Sequence, residues 1–287
     1  MMQKLSQFVK FDNPVLQKEL KLRFRYFKSI TGLIVYLTTL LIFVGGFLLV
    51  ALEFNQVSQL NPSDSFALFI MLSVIQMGLV LFITPGLTAG AISTEREKQT
   101  LNMLLMTTQS SLQIVIGKLT SSIAYLGLLL IAGLPLYSIV FLFGGVSPMQ
   151  LVTIFIFYFV TMVAIGSVGI FFSIVLKRTI TAMITTYGTM IFLAGITAFF
   201  FGITVMITQM SMMNGGMTTV PLAYIWAAIN PGALVLTILS SDLGLVLKEL
   251  TGIGIPVWVT YLIFYIGLTV LMVFLSAKKL RVNMKRG

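Results

Sequence analysis

Apolar residues in this chain run on far longer than a soluble helix needs. A membrane-crossing helix takes about 20 mostly apolar residues. Six stretches meet that length: 30–52, 66–92, 119–143, 151–176, 180–208 and 257–277. Polar turn signals separate several of them, including Asn61-Pro62-Ser63-Asp64, Gly144-Gly145-Val146-Ser147-Pro148 and Lys177-Arg178. The pattern predicts an all-α integral membrane protein with six spans. A further apolar run, 222–241, is uncharged but broken in its middle by Asn230-Pro231-Gly232. Backbone broken at membrane depth is tolerated only where protein or water covers it. This run therefore reads as two short helices that dip in and return, or as an amphipathic pair lying flat on the membrane.

Two polar stretches interrupt the apolar pattern differently. In the first, Asn13 and Pro14 suit a helix start. Leu16, Leu20, Phe24 and Phe27 then share one side, opposite Lys18, Lys21, Arg25 and Lys28. Segment 1–29 is thus an interfacial helix, apolar toward lipid and cationic toward phosphates or a partner. The second is ISTEREKQTLNMLLMTTQSSLQIVIGK, from Ile92 to Lys118. Thr94-x-x-Glu97 has the form of a capping box. Leu101, Leu104 and Leu105 follow on one side and Met103 and Met106 on the other. The spacing predicts a short helix over about 94–107, with one apolar side for its own bundle. The other side goes to a partner groove or to lipid.

Composition strengthens the membrane assignment: 58% of the 287 residues are hydrophobic, 9% are charged, and the mean hydropathy is +1.05. Soluble domains carry about 25% charged residues. The chain has no Cys and no His, which removes disulfides, thiolate metal sites, the usual general base and the commonest metal ligand. A metalloenzyme or a Ser-His triad is excluded, and no apolar core marks the N-terminus as a cleavable signal. All eight acids lie outside the span centres, which disfavours a proton-driven carrier. The few polar residues at mid-span make Gln76, Thr84 and Tyr187 candidates for a pathway. Gly166, Gly169 and Ser173 have the small-residue spacing of close helix packing.

Charge sets the expected orientation. Seventeen of the eighteen cations fall in the N-terminal segment, the loop after span 2, the turn after span 4 and the tail 278–287; only Lys248 lies opposite. By the excess of Lys and Arg on the inner side, both termini are expected in the cytoplasm, in a multi-pass protein of the cell membrane. The net charge of +10 is a topology signal and not a nucleic-acid footprint.

NPVLQKELKLRFR, six spans, and ISTEREKQTLNMLLMTTQSSLQIVIGKLTSS between spans 2 and 3 together resemble the membrane subunits of ABC-2-type ABC transporters. The matching positions are Ser93, Glu95, Arg96, Glu97, Thr100, Leu101, Leu104, Leu105, Thr107, Ser110, Ile114, Gly117 and Lys118. Gln99 stands where the family has Gly, and Thr108 where it has Pro. Both departures are expected to favour helix continuity. The specific motif covers about 30 residues plus the amphipathic N-terminus.

The resemblance implies that 94–107 is a coupling helix docked in a separate ATPase, through Glu95, Arg96, Glu97, Thr100, Leu101, Leu104 and Leu105. It implies that Leu16, Lys18, Glu19, Lys21 and Arg25 belong to an interface helix beside the same ATPase. It also implies that 209–256 holds an external re-entrant pair, within a six-span domain over 30–287. The chain has no G-x-x-x-x-G-K-[ST] phosphate loop. ATP and Mg would therefore be bound by the partner, and the chain itself would hold no cofactor. Two ATPases require a second membrane subunit, identical or similar. The function expected is that of an exporter subunit. The alternative left open is an ABC-type complex that senses or transmits force to an envelope partner.

Overall fold

The computed structural model describes residues 27–55, 62–101, 110–142, 144–213 and 220–284. These residues form helices joined by turns. Six of the helices are long and apolar enough to cross a membrane. The chain is thus an all-α, multi-pass membrane protein. Span 1 is Phe27–Asn55, span 2 Pro62–Thr88, span 3 Ser111–Leu142 and span 4 Pro148–Val175. Span 5 comprises Thr179–Ile191 and Thr197–Met213, joined by a π-helical turn at Phe192–Ile196. Span 6 is Val257–Met284. The segment 1–26, with Leu16, Lys18, Glu19, Lys21 and Arg25, lies outside the described residues, as do Leu104 and Leu105.

Span 4 is the centre of the bundle and packs on spans 2, 3, 5 and 6. Its most apolar window is 56% buried, against 17% for span 1 and 11% for span 5. Small residues make this possible. A Cβ added at Gly169 would overlap the Thr88 hydroxyl, and one at Gly166 would come within 3.1 Å of Leu119. Gly169 and Ser173 thus bring span 4 against the end of span 2, the close packing expected from their spacing. Spans 1 and 5 expose large apolar side chains such as Ile34, Leu41, Ile184 and Phe199, as suits helices facing lipid.

Between spans 5 and 6 the broken run forms two helices, Pro221–Ile229 and Pro231–Leu239, bent by 101° at Asn230. A third helix, Ser241–Thr251, follows; the sequence reading did not separate it. Gly252 ends it at φ 70°, a left-handed position that suits glycine.

The bend fits against an irregularity in span 5. A π turn adds a residue and leaves the helix ladder locally out of step. There the Ala194 carbonyl accepts from Asn230 Nδ2 at 2.6 Å, and the Leu193 carbonyl accepts from the Thr197 hydroxyl at 2.6 Å. Asn230 Nδ2 also donates to Thr197 Oγ1 at 2.8 Å, while Asn230 Oδ1 caps the second helix through Ala233 N–H at 2.8 Å. Tyr265 of span 6 donates to the Ile229 carbonyl at 2.9 Å. The broken backbone is thus paired by protein at a point half-way along the apolar window Thr179–Thr208.

Candidate functional site

The polar stretch after span 2 turns back onto the bundle instead of standing apart from it. Its helix is only Ser93–Glu97. The chain arrives from span 2 already coiled, with Thr94 N–H bonded to the Gly90 carbonyl at 3.1 Å. The Ile92 and Ser93 N–H groups both donate to Ser173 Oγ of span 4, at 2.8 and 2.9 Å. Those donors are therefore not orphaned, and Thr94 lies inside the helix instead of at its N-cap. The expected Thr94–Glu97 capping box is not formed. The capping box in this region is Ser110–Gln113 at the start of span 3, where Ser110 N–H meets Gln113 Oε1 at 2.9 Å and Gln113 N–H meets Ser110 Oγ at 3.3 Å.

The single helix expected over 94–107 is also corrected. Gln99 sits at φ 58°. Gln99 N–H bonds to the Arg96 carbonyl at 3.1 Å and Thr100 N–H to the Glu95 carbonyl at 2.9 Å. This pair of bonds is the Schellman termination, whose left-handed residue is usually glycine. Gln99 thus ends the helix rather than continuing it. Its position is the one at which the resembling pattern has Gly. A side chain in this conformation costs about 1 kcal/mol. Gln99→Gly is expected to stabilise the protein by about that amount. Thermal unfolding of the purified protein in lipid nanodiscs checks it; a lower midpoint for Gln99→Gly would contradict the termination geometry.

Each charged residue of the turn reaches a different span. Glu95 Oε1 pairs with Lys118 Nζ of span 3 at 3.2 Å, and its other carboxylate oxygen accepts from the Thr100 hydroxyl. Lys118 is 5% exposed, so this ion pair is largely shielded from water. Arg96 donates through its two terminal nitrogens to the Leu176 and Ile174 carbonyls, both at 3.0 Å. Those carbonyls are orphans at the C-terminus of span 4, where a cation also complements the helix dipole. Glu97 accepts from the Thr179 N–H at 2.7 Å, at the first turn of span 5. That backbone bond, with the Thr179 hydroxyl and Arg178 nearby, holds the exposed Glu97 carboxyl below the usual carboxylate range. Thr94 Oγ1 lies 3.4 Å from Thr179 Oγ1, adding a second tie to span 5.

Leu101 packs into the bundle, buried with Ile92, Ile114, Ile174 and Leu280. The turn therefore joins the ends of spans 2 to 5, and its apolar neighbour includes the far end of span 6. Lys98, Gln99, Lys177 and Arg178 remain exposed beside it. They form a polar, mainly cationic rim around a turn whose other charges are committed internally.

The three pathway candidates are all engaged within the bundle. Gln76 accepts from Tyr36 OH at 2.8 Å, Thr84 bonds back to the Val80 carbonyl at 2.6 Å, and Tyr187 OH donates to the Phe82 carbonyl at 3.0 Å. Gln76 and Thr84 are buried. Sequence reasoning missed the polar residues around them: Tyr36, Ser73, Tyr137 and Tyr158 lie on spans 1 to 4, and Tyr261 of span 6 meets Thr161, one of the few polar residues the sequence places at mid-span, at 2.6 Å. The available signal was tyrosine inside apolar runs, since membrane tyrosines favour the interfaces.

No protein-family model matches the chain, and no curated protein matches it either.

Proposed function

We propose that this chain is the membrane subunit of an ATP-driven transporter of the ABC-2 type. In this reading it is an exporter that works as a dimer with an identical or similar subunit. Separate ATPase subunits bind ATP and Mg and dock at the end of the bundle that carries Glu95, Arg96 and Glu97. That end faces the cytoplasm, with both termini, and the pair bent at Asn230 re-enters from the outside. The membrane is the cell membrane.

One observation carries this reading: a single short turn is tied by Lys118, by the end of span 4 and by the start of span 5. A force applied at this turn reaches four spans at once, without passing through flexible loops. The residues that do the tying are also those through which the sequence resembles the family. They act inside the subunit, as positioning contacts. Docking then falls to Leu104 and Leu105 and to the exposed Lys98, Lys177 and Arg178.

ATP closes the two ATPases, the docked segment moves, and the turn carries the ends of spans 2 to 5 with it. Leu104→Asp is expected to leave ATP hydrolysis in place while lowering transport by about tenfold or more. The measurement is ATPase activity and substrate export in proteoliposomes, with the ATPase subunit that co-purifies with this chain. Normal transport by that variant, still bound to the ATPase, would refute the docking assignment.

A further inference from the structure

We propose that a pocket beside the start of span 6, with Lys248 in its wall, binds an anionic phospholipid through its headgroup phosphate. The pocket has a volume of about 320 Å³. Ligand sites begin at roughly that size. Helix Ser241–Thr251 forms one wall, and the turn into span 6 with Val257 and Trp258 forms another. Tyr224 and Thr237, one from each arm of the bent pair, complete it.

Its place in the fold is the membrane boundary. The apolar run of span 6 begins at Val257, and its other end, Leu280, packs in one cluster with Leu101. Val257 and Leu280 are 23 residues apart, about 35 Å of helix. That matches one hydrocarbon thickness of roughly 30 Å. The pocket therefore lies at the opposite end of the bundle from the Glu95–Glu97 turn. In the orientation proposed above, that end meets the outer leaflet.

The wall names the ligand. Lys248 is its one charged residue. The Lys248 stem runs over Gly254 in the same wall, since a Cβ at Gly254 would lie 3.9 Å from Lys248 Cε. A stem laid on apolar surface carries its ammonium to the polar rim. No carboxylate among the described residues pairs with it. Glu249 is exposed, about 100° round the helix and outside the wall. Val257 and Trp258 open span 6, where first-turn N–H groups lack an intrahelical partner and favour an anion. The Tyr224 hydroxyl is already tied to Thr260 at 2.6 Å. A lysine and a helix start at one pocket suit a phosphodiester. Leu245, Ile255 and Trp258 are exposed around it, which suits acyl chains and gives a free phosphate nothing to cover. Tryptophan at the level where a span begins is an interfacial anchor. A single cation selects a lipid of net negative charge, because a zwitterionic headgroup brings its own ammonium against Lys248.

Trp226 and Trp258 are the two tryptophans of the chain, so Trp226→Phe leaves one reporter at the pocket. The full-length variant in detergent micelles is titrated with phosphatidylglycerol or phosphatidylcholine brominated in the acyl chains. Phosphatidylglycerol is expected to quench Trp258 at a several-fold lower concentration. Lys248→Gln should abolish that difference. Lys279→Gln, which removes a cation at the other end of span 6, should preserve it. The wild type, with both tryptophans, should give the same order with a smaller drop. Equal quenching by the two lipids overturns the proposal, as does a preference that survives Lys248→Gln. Glycerol 3-phosphate, a headgroup without chains, should not compete; if it prevents quenching, the pocket takes free phosphate and the lipid assignment falls.

Discussion

Asn230→Leu is expected to destabilise the protein by about 3 kcal/mol. The substitution keeps the bulk of the side chain and removes all of its hydrogen bonding. Asn230 is 3% exposed, so water does not replace what is lost. The Ala194 carbonyl, the Thr197 hydroxyl and the Ala233 N–H each lose a partner. An orphaned buried group costs roughly 1–3 kcal/mol, and loss of an N-cap about 1 kcal/mol. Thr197 retains its bond to Leu193 and the Ala194 carbonyl retains the Thr197 N–H, which limits the total. Asn230→Asp separates the contributions. Asp still caps Ala233 but sets a carboxylate against the Ala194 carbonyl, so it should be no better than Leu at the π turn. Thermal unfolding in nanodiscs, with proteolysis of the 220–256 region, reads both effects. A loss under 1 kcal/mol for Leu would mean that the bent pair is not anchored through Asn230.

The spans were legible because hydrocarbon thickness sets a length that apolar runs must meet. Their ends were less so, for a physical reason. Span 3 begins at Ser111 and span 6 runs to Met284, both beyond the apolar stretch. A helix continues into polar sequence wherever its N–H and C=O groups stay paired, and hydropathy does not report that. The break at Asn230-Pro231-Gly232 was legible from turn chemistry. Its anchoring on a π turn 36 residues earlier was not, since nothing in Phe192–Ile196 marks an added residue.

The polar stretch shows the same division. Its charges stood out, and the position of Gln99 was flagged as one that ordinarily takes glycine. The inference from it ran the wrong way, because a glycine there serves a left-handed helix end. The Thr94-x-x-Glu97 spacing misled because a capping box needs unpaired donors. Here Ser173, on another span, had already taken those of Ile92 and Ser93. Partners about 80 residues away in sequence cannot be read from local spacing. Glu97, expected to cap its own helix, instead meets the start of span 5.

Arg96 separates an internal from an external role for the stretch. As a clamp on span 4, its guanidinium satisfies two carbonyls at once, each at 3.0 Å. Hydrogen bonds to a charged group contribute about 1.5–3 kcal/mol each. Arg96 is only partly buried, so water recovers some of this on truncation. Arg96→Ala is therefore expected to cost about 3 kcal/mol. Arg96→Lys should regain less than half of that, because one ammonium does not reproduce the fork that spans Ile174 and Leu176. Hydrogen exchange adds a local readout: amides at 176–182 should exchange faster in the Ala variant as the turn between spans 4 and 5 loosens. The opposite pattern is equally definite. If Arg96 serves chiefly to touch an ATPase, Arg96→Ala would keep wild-type stability and exchange while losing co-purification with the ATPase. A loss of stability that precedes any loss of binding would place Arg96 inside the mechanical path and leave the outer contact to its exposed neighbours.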